Sequence, residues 1–359
     1  MKLLLLTNGY GEDTIAKYII DNLYELGVKD IEVFPLVTKG DVFENVKIVG
    51  PVRVFPSSGI SGFLNFFNFI KDIKAGLFGH IKQQIKFLKS LNDDLYFVAV
   101  GDVYPILLLY FSGKIRKSFF VATAKSIKTE PFNFLEISLM KNMIANFVRD
   151  EMTLKWIVSR YGLGNVYFEG NPVLDLPRVE VDDEKFLNVL KYYKNIIILP
   201  GRKDVAVENL RNLIAFVPHL IEKGFCFTVV VPHFYPLDEI VRLVKEFENV
   251  FIFDSKYYRF LLENSFLVWG FGGSANEQAA GFGLPVISLY SKSWYRQRQK
   301  KLLRDSLILV RNWEEFYTQT MSLVNDVNRY VYLSNVGRRE MGNLGGARNI
   351  ARFIQNFCQ

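Results

Sequence analysis

The 359-residue sequence predicts an α/β protein made of two doubly wound parallel sheets. Three observations predict it. Short apolar runs of strand length alternate with stretches whose apolar residues recur at helical spacing. Glycine-rich turns follow several of these runs. The rhythm then stops near Gly170-Asn171-Pro172, passes through the charged stretch RVEVDDEK, and starts again. A chain of this length suits two domains better than one core. The expected division is an N-terminal domain over 1–172, a C-terminal domain over 173–340, and a closing helix over 341–359 that crosses back toward the first domain. Two such halves facing a cleft would bind a ligand there, as open parallel sheets do.

In order, KLLLLT reads as the first strand, NGYGEDT as a loop, and IAKYIIDNLYELG as a helix with a glycine stop. IEVFPLV, LYFVAVG, SFFVATA, NFVRD and NVYFEG are the further strands of the first half. The second half offers NIIILPG, a helix over 205–223, then CFTVVVP, VFIFD, LVWGFG and PVISLY. The segment over 57–91 stands apart, because phenylalanines and lysines are mixed in it with few acids. A basic, Phe-rich helix of this kind can lie in a membrane interface through Phe63, Phe66, Phe67, Lys71 and Lys74. The alternative is a core-packing helix whose lysines are solvated.

Composition narrows the function. Half of the residues are hydrophobic, which supports a sizeable core and argues against disorder. Two distant cysteines and three histidines argue for a reducing cytosol and against a disulfide framework or a metal site. The N-terminal apolar run is too short for a signal peptide, and no stretch reaches the ~18 apolar residues of a membrane span. The net charge of +7 ranks a lipid surface and nucleotide phosphate ahead of nucleic acid as partners.

The most informative stretch is FLVWGFGGSANEQAAGFGLPVI. A buried strand runs into Gly270, Gly272 and Gly273, and Ser274-Ala275-Asn276-Glu277 reads as a capped helix start with Gln278 beside it. Unpaired N–H groups and a helix dipole make such a turn an anion site. The plainer reading is a tight βα turn with a capping acid. Three other loops follow strands. Asn8-Gly9-Tyr10-Gly11-Glu12-Asp13 brings acids to a helix start, where Asp13 reads first as an N-cap. Asp102 follows FVAV and suits either a general base or a turn residue. Pro200-Gly201-Arg202-Lys203 places cations suited to a diphosphate, or simply a solvated basic loop.

Taken in order, NGYGEDTIA, FVATAKS, EGNPVLD, ILPGRKDVAVENL, GGSANEQAAGFGLPVI, WYRQRQKKLL and REMGNLGGARNIA resemble the landmarks of lipid-A-disaccharide synthase-related proteins, glycosyltransferases of the GT-B fold. Tyr10 stands where that group usually has histidine, and LPGRK lacks the serine of its LPGSR. The resemblance implies two Rossmann-like domains and an inverting, metal-independent transfer from a nucleotide sugar, UDP-linked, to a lipid acceptor. The protein would then be cytoplasmic and peripheral to an anionic membrane. By the same resemblance Asp102 is the catalytic base, with Glu12 and Asp13 as further acids. Gly201, Arg202, Gly272, Gly273, Ser274, Asn276, Glu277 and Gln278 hold the donor, and Asn8, Gly9, Tyr10 and Gly11 form an acceptor loop. The nucleotide sugar is a substrate, and no cofactor is expected. The alternatives are a UDP-sugar epimerase of the same fold and a non-catalytic nucleotide- or lipid-binding protein.

Overall fold

The computed structural model describes residues 2–54, 76–232 and 235–358. The chain forms two compact units. Unit 1 holds Met1–Asp175 together with Leu344–Gln359, and unit 2 holds Leu176–Asn343. Each is a Rossmann-like α/β unit on a fully parallel sheet.

The sheet of unit 1 contains β1 (Lys2–Thr7), β2 (Asp30–Pro35), β3 (Lys47–Ile48), β4 (Leu95–Gly101), β5 (Ser118–Ala122), β6 (Ala145–Phe147) and β7 (Val166–Tyr167), in the order β3-β2-β1-β4-β5-β6-β7. A parallel sheet needs both faces covered, which is why its strands are unbroken apolar runs. Leu3 to Leu6 of β1 are wholly buried and alternate between two cores. Leu4 and Leu6 face the helix side that includes Ile106 and Leu109. Leu3 and Leu5 face Ile15, Ile19 and the last helix, through Ala347, Ile350 and Ile354.

That last helix, Gly346–Cys358, is anchored by one carboxylate. Asp175 accepts from the backbone N–H groups of Gly345 and Ala347, each at 2.6 Å, and so satisfies donors that a helix start leaves open. Position 346 must be glycine: a Cβ there would stand 2.7 Å from the backbone of Gly170 and Pro172.

Unit 2 contains β8 (Lys194–Leu199), β9 (Phe225–Val231), β10 (Val250–Asp254), β11 (Leu267–Gly270), β12 (Val286–Leu289) and β13 (Leu307–Val310), in the order β10-β9-β8-β11-β12-β13. Its strands are equally apolar, with Ile196, Ile197 and Ile198 fully buried.

Three local expectations change. The first helix runs Tyr10–Glu25 and so takes in most of the expected loop, starting directly after the extended Gly9. The helix expected over 205–223 is two, Ala206–Ile214 and Val217–Ile221, and Pro218 sits in the first turn of the second. A proline fits there because that turn has no N–H bond to lose. Ser274 is the first helical residue and does not cap; Gly273 holds the cap position.

The Phe–Lys segment lies largely outside the described residues, including Phe63, Phe66, Phe67, Lys71 and Lys74. Its described end, the helix Leu77–Ser90, buries Leu77, His80, Gln84 and Leu88 and leaves Phe78 exposed. The Tyr104 hydroxyl donates to Gln84 Oε1 at 2.5 Å, tying this helix to its neighbour. Among the described residues, no helix is long and apolar enough to cross a membrane.

Candidate functional site

In unit 1 the chain leaves β1 toward β2 on one side and later returns as β4 on the other. The sheet therefore reverses direction between β1 and β4, and ligands of open α/β sheets bind outside the carboxyl ends at such a point. Asn8 follows β1 there and Asp102 follows β4. Asn8 Nδ2 donates to Asp102 Oδ1 at 2.6 Å. Asp102 is also the N-cap of the helix Val103–Phe111, where the same oxygen accepts from the Tyr104 backbone N–H at 2.9 Å. The turn reading and the reactive-acid reading thus fall on one side chain.

Glu12, in the first turn of the first helix, folds back over Gly9, where a Cβ would stand 2.3 Å from its Oε2. Its other oxygen accepts a long hydrogen bond, 3.3 Å, from the Thr123 hydroxyl at the end of β5. Burial pushes the Glu12 carboxyl up, and the charges of Asp102 and Asp13 push it further, against its backbone N–H and Thr123. Burial also raises Asp102, as does the charge of Glu136, while the Tyr104 N–H, the Asn8 amide and Lys125 oppose the rise.

Asp13 is different. It is 1% exposed, and its two oxygens accept from the hydroxyls of Thr7 at 2.5 Å and Thr38 at 2.6 Å. It is not an N-cap. It is a buried strut joining the first helix to the end of β1 and to the bend after β2, with its carboxyl raised by burial. Tyr10 is half exposed and Gly11 faces open space.

Beside Asp102 lies a buried ion pair that the sequence did not single out. Lys125 bonds Glu136 at 2.8 Å and reaches the exposed Glu130 at 3.2 Å. Glu136, 1% exposed, completes a capping box with Asn133. Burial alone would lower the Lys125 ammonium, but its carboxylate partners hold it above its usual range.

Unit 2 reverses direction between β8 and β11, and two of the expected loops meet there. Gly201 follows β8 with φ of +95°, in the left-handed region, and a Cβ on it would lie 3.0 Å from Phe271 Cβ. Arg202 is exposed and pairs with Asp204 at 2.8 Å. After β11, the glycine turn feeds the helix Ser274–Gly281. Asn276 is fully buried, and its amide donates to Gly270 O at 3.1 Å. Glu277 is 5% exposed and pairs with Arg298 at 3.6 Å.

Side chains from the helix Trp294–Leu303 organise this turn. Gln299, 1% exposed, donates to Gly273 O at 2.8 Å and Gly272 O at 3.4 Å. Its Oε1 accepts from Arg296 at 2.5 Å and from Asn276 at 3.3 Å. With the turn's carbonyls held by Gln299 and Asn276, the N–H groups of Gly272 and Gly273 could meet an anion, while that of Phe271 donates to Leu199 O at 2.9 Å. Burial lowers the pKa of Arg296, and Tyr295 lies against Gly273 where any Cβ would collide with its hydroxyl. From sequence, some of the charges in WYRQRQKK read as surface charge and one or two as able to reach a ligand, without saying which. The signal that separates Arg296 and Gln299 from their neighbours is their spacing of three, which continues to the buried Leu302 and Leu303 on the same helix face. Among the described residues, no group of three His, Cys, Asp or Glu is placed to hold a metal ion.

Two Rossmann-like units of this kind define the GT-B fold. No protein-family model matches the chain, and no curated protein matches it in sequence. Solved structures do match over nearly the whole length. UDP-GlcNAc 2-epimerase from Neisseria meningitidis, solved with UDP-GlcNAc, is 14% identical with a TM-score of 0.60, covering 99% of each chain. The UDP-GlcNAc 2-epimerase of Methanocaldococcus jannaschii is 14% identical with a TM-score of 0.57, covering 99% of this chain and 100% of that one. S. aureus MnaA, solved with UDP, is 13% identical with a TM-score of 0.61, covering 99% and 97%.

These matches overturn the resemblance to lipid-A-disaccharide synthase and, with it, the expected sugar transfer to a lipid acceptor at a membrane. The structures that share both sheets are chiefly epimerases of a UDP-sugar. The reason lies in where the shared motifs sit. NGYGED, LPGR and GGSANE are junctions at the carboxyl ends of β1, β8 and β11, where glycines and helix starts answer to the fold. Such junctions do not encode an acceptor.

Proposed function

We propose that the protein is an epimerase of a UDP-linked sugar, with acid–base carboxylates in unit 1 and nucleotide-holding groups in unit 2. One observation carries this reading: Glu12 and Asp102 lie together at the reversal point of the first sheet, both raised above the usual carboxylate range by burial. Inverting one sugar carbon breaks a C–H bond on one face and reforms it on the other. That requires one group to take a proton and a second to give one, each with a pKa drawn toward neutrality. Two raised carboxyls close enough for the charge of one to act on the other meet the requirement without a transferred group.

The nucleotide is the part of the substrate suited to unit 2. Its phosphates fit the N–H groups of Gly272 and Gly273 at the start of the helix Ser274–Gly281, with Gly201 and Arg202 alongside. Glu277 and Gln278 in the same helix suit the hydroxyls of a ribose or sugar. The names of the matched structures supply UDP and UDP-GlcNAc as the first compounds to try.

The test is incubation of the protein with UDP-GlcNAc in D2O, followed by proton NMR. Formation of the epimer with deuterium at the inverted carbon supports the reading. Recovery of unchanged, unlabelled UDP-GlcNAc, while UDP still raises the melting temperature, removes epimerisation of this sugar and keeps a nucleotide-binding protein.

A further inference from the structure

The two acids are not equivalent, and the residue that separates them is Asn8. We propose that Asn8 is a positioning residue: by donating to Asp102 Oδ1 it makes Asp102 the proton acceptor and leaves Glu12 to carry the proton. The division of the sugar's two proton transfers rests on the epimerase reading above; the division of charge between the carboxyls does not.

Asn8 Nδ2 is only a donor, so the 2.6 Å contact favours the ionised form of Asp102. The Tyr104 backbone N–H donates to the same oxygen at 2.9 Å. Oδ1 is therefore held by two donors. Among the described residues, no hydrogen bond reaches Oδ2, so the atom left for chemistry is defined by the two that fix its partner. Glu12 has weaker support, a single hydroxyl contact at 3.3 Å together with its own backbone N–H. At Asp102 the charge of Lys125 offsets part of the larger opposing charge of Glu136, whereas the neighbouring charges at Glu12 are those of Asp102 and Asp13.

The direction of the Asn8 amide is itself enforced. Reversing it would set Oδ1 against Asp102 Oδ1, two acceptors at 2.6 Å. In the observed orientation Asn8 Oδ1 is buried without a hydrogen-bond partner. It rests against Gly101, where a Cβ would lie 2.0 Å away. Gly101 adopts φ of +140°, a conformation open to glycine, and so provides the space that the amide oxygen occupies. An unsatisfied buried acceptor is costly, and its retention here marks an orientation set by the carboxylate beyond it.

The decisive measurement is direct titration of the Asp102 carboxyl by carbon-13 NMR in the free protein, with Asp102→Asn assigning the signal. Asn8→Ala is expected to move the Asp102 midpoint to higher pH. Asn8→Asp, which keeps the shape and replaces the donor with an acceptor, is expected to move it further, because two carboxylates in contact share a proton. Melting curves establish that each variant is folded. In turnover of UDP-GlcNAc, Asn8→Ala loses about tenfold of kcat/KM on the acidic side and regains most of it at high pH. A midpoint unchanged in both variants overturns the proposal. A shifted midpoint without any epimer formed upholds the positioning role and rejects only the reaction assigned to it.

Discussion

The two reversal points share a backbone solution and differ in electrostatics. In each, the strand beyond the reversal ends in a glycine that carries an asparagine amide: Gly101 under Asn8 and Gly270 under Asn276, with the missing Cβ at 2.0 and 2.1 Å from the amide oxygen. In unit 1 the amide nitrogen goes to a carboxylate; in unit 2 it goes to a main-chain carbonyl. The first arrangement gathers Glu12, Asp102, Lys125 and Glu136 and concentrates titratable groups. The second spends its buried polar side chains on fixing a glycine turn. Under the proposed function, unit 1 would move protons and unit 2 would hold an anion.

The sharpest way to break that comparison is Asp102→Asn. Turnover of UDP-GlcNAc is expected to fall by at least about 100-fold, the scale of a lost general acid or base. The rise in melting temperature caused by UDP is expected to persist, because a ligand of the native state stabilises it wherever it binds. A variant that loses both would show that nucleotide binding depends on the carboxylates, and the division between the units would fall.

Gln299→Ala is the matching change in unit 2. It leaves Arg296, Asn276 and the Gly273 carbonyl without their buried partner, at a cost of about 1–3 kcal/mol in stability. The UDP-induced shift is expected to vanish, because the turn is no longer held with its N–H groups outward. Normal UDP affinity, measured by calorimetry on the folded variant, would make Gln299 a packing residue only.

The carboxylates of unit 1 also predict an unusual stability profile. Glu12 has its pKa raised in the folded protein, so the folded state binds its proton more tightly than the unfolded chain does. Its contribution is fully present below the ordinary glutamate pKa and is lost as pH rises through the raised folded value. Glu12→Gln removes that loss. The variant is expected to melt roughly 2–4 °C higher than the parent at pH 7, with the gain disappearing as pH falls below the glutamate range. A gain independent of pH would assign the effect to packing.

The sheets were legible because strands buried on both faces must be nearly all apolar, as in Leu3–Leu6 and Ile196–Ile198. The glycine turns were legible because close backbone approach excludes a Cβ. The first carboxylate site was only half legible. Asn8, Asp102, Thr123 and Glu136 are far apart in sequence and meet because β1, β4 and β5 are neighbours. Asp13 and Glu12, adjacent in sequence, take opposite roles because one points at Thr7 and Thr38 and the other folds over Gly9. No local pattern separates them.

Arg202 supplies the mildest test. Its side chain is 81% exposed and its partner Asp204 62% exposed, so the ion pair is screened by water and holds little structure. Arg202→Ala is expected to leave the melting temperature of the free protein unchanged. It is expected to reduce the UDP-induced shift, and to make UDP binding less dependent on salt, because a guanidinium released from Asp204 can meet a diphosphate with planar paired donors. Equal UDP affinity in parent and variant at low salt would confine the anion site to the turn after β11, and the sole contribution of the β8 loop would be Gly201, whose missing side chain leaves room for Phe271.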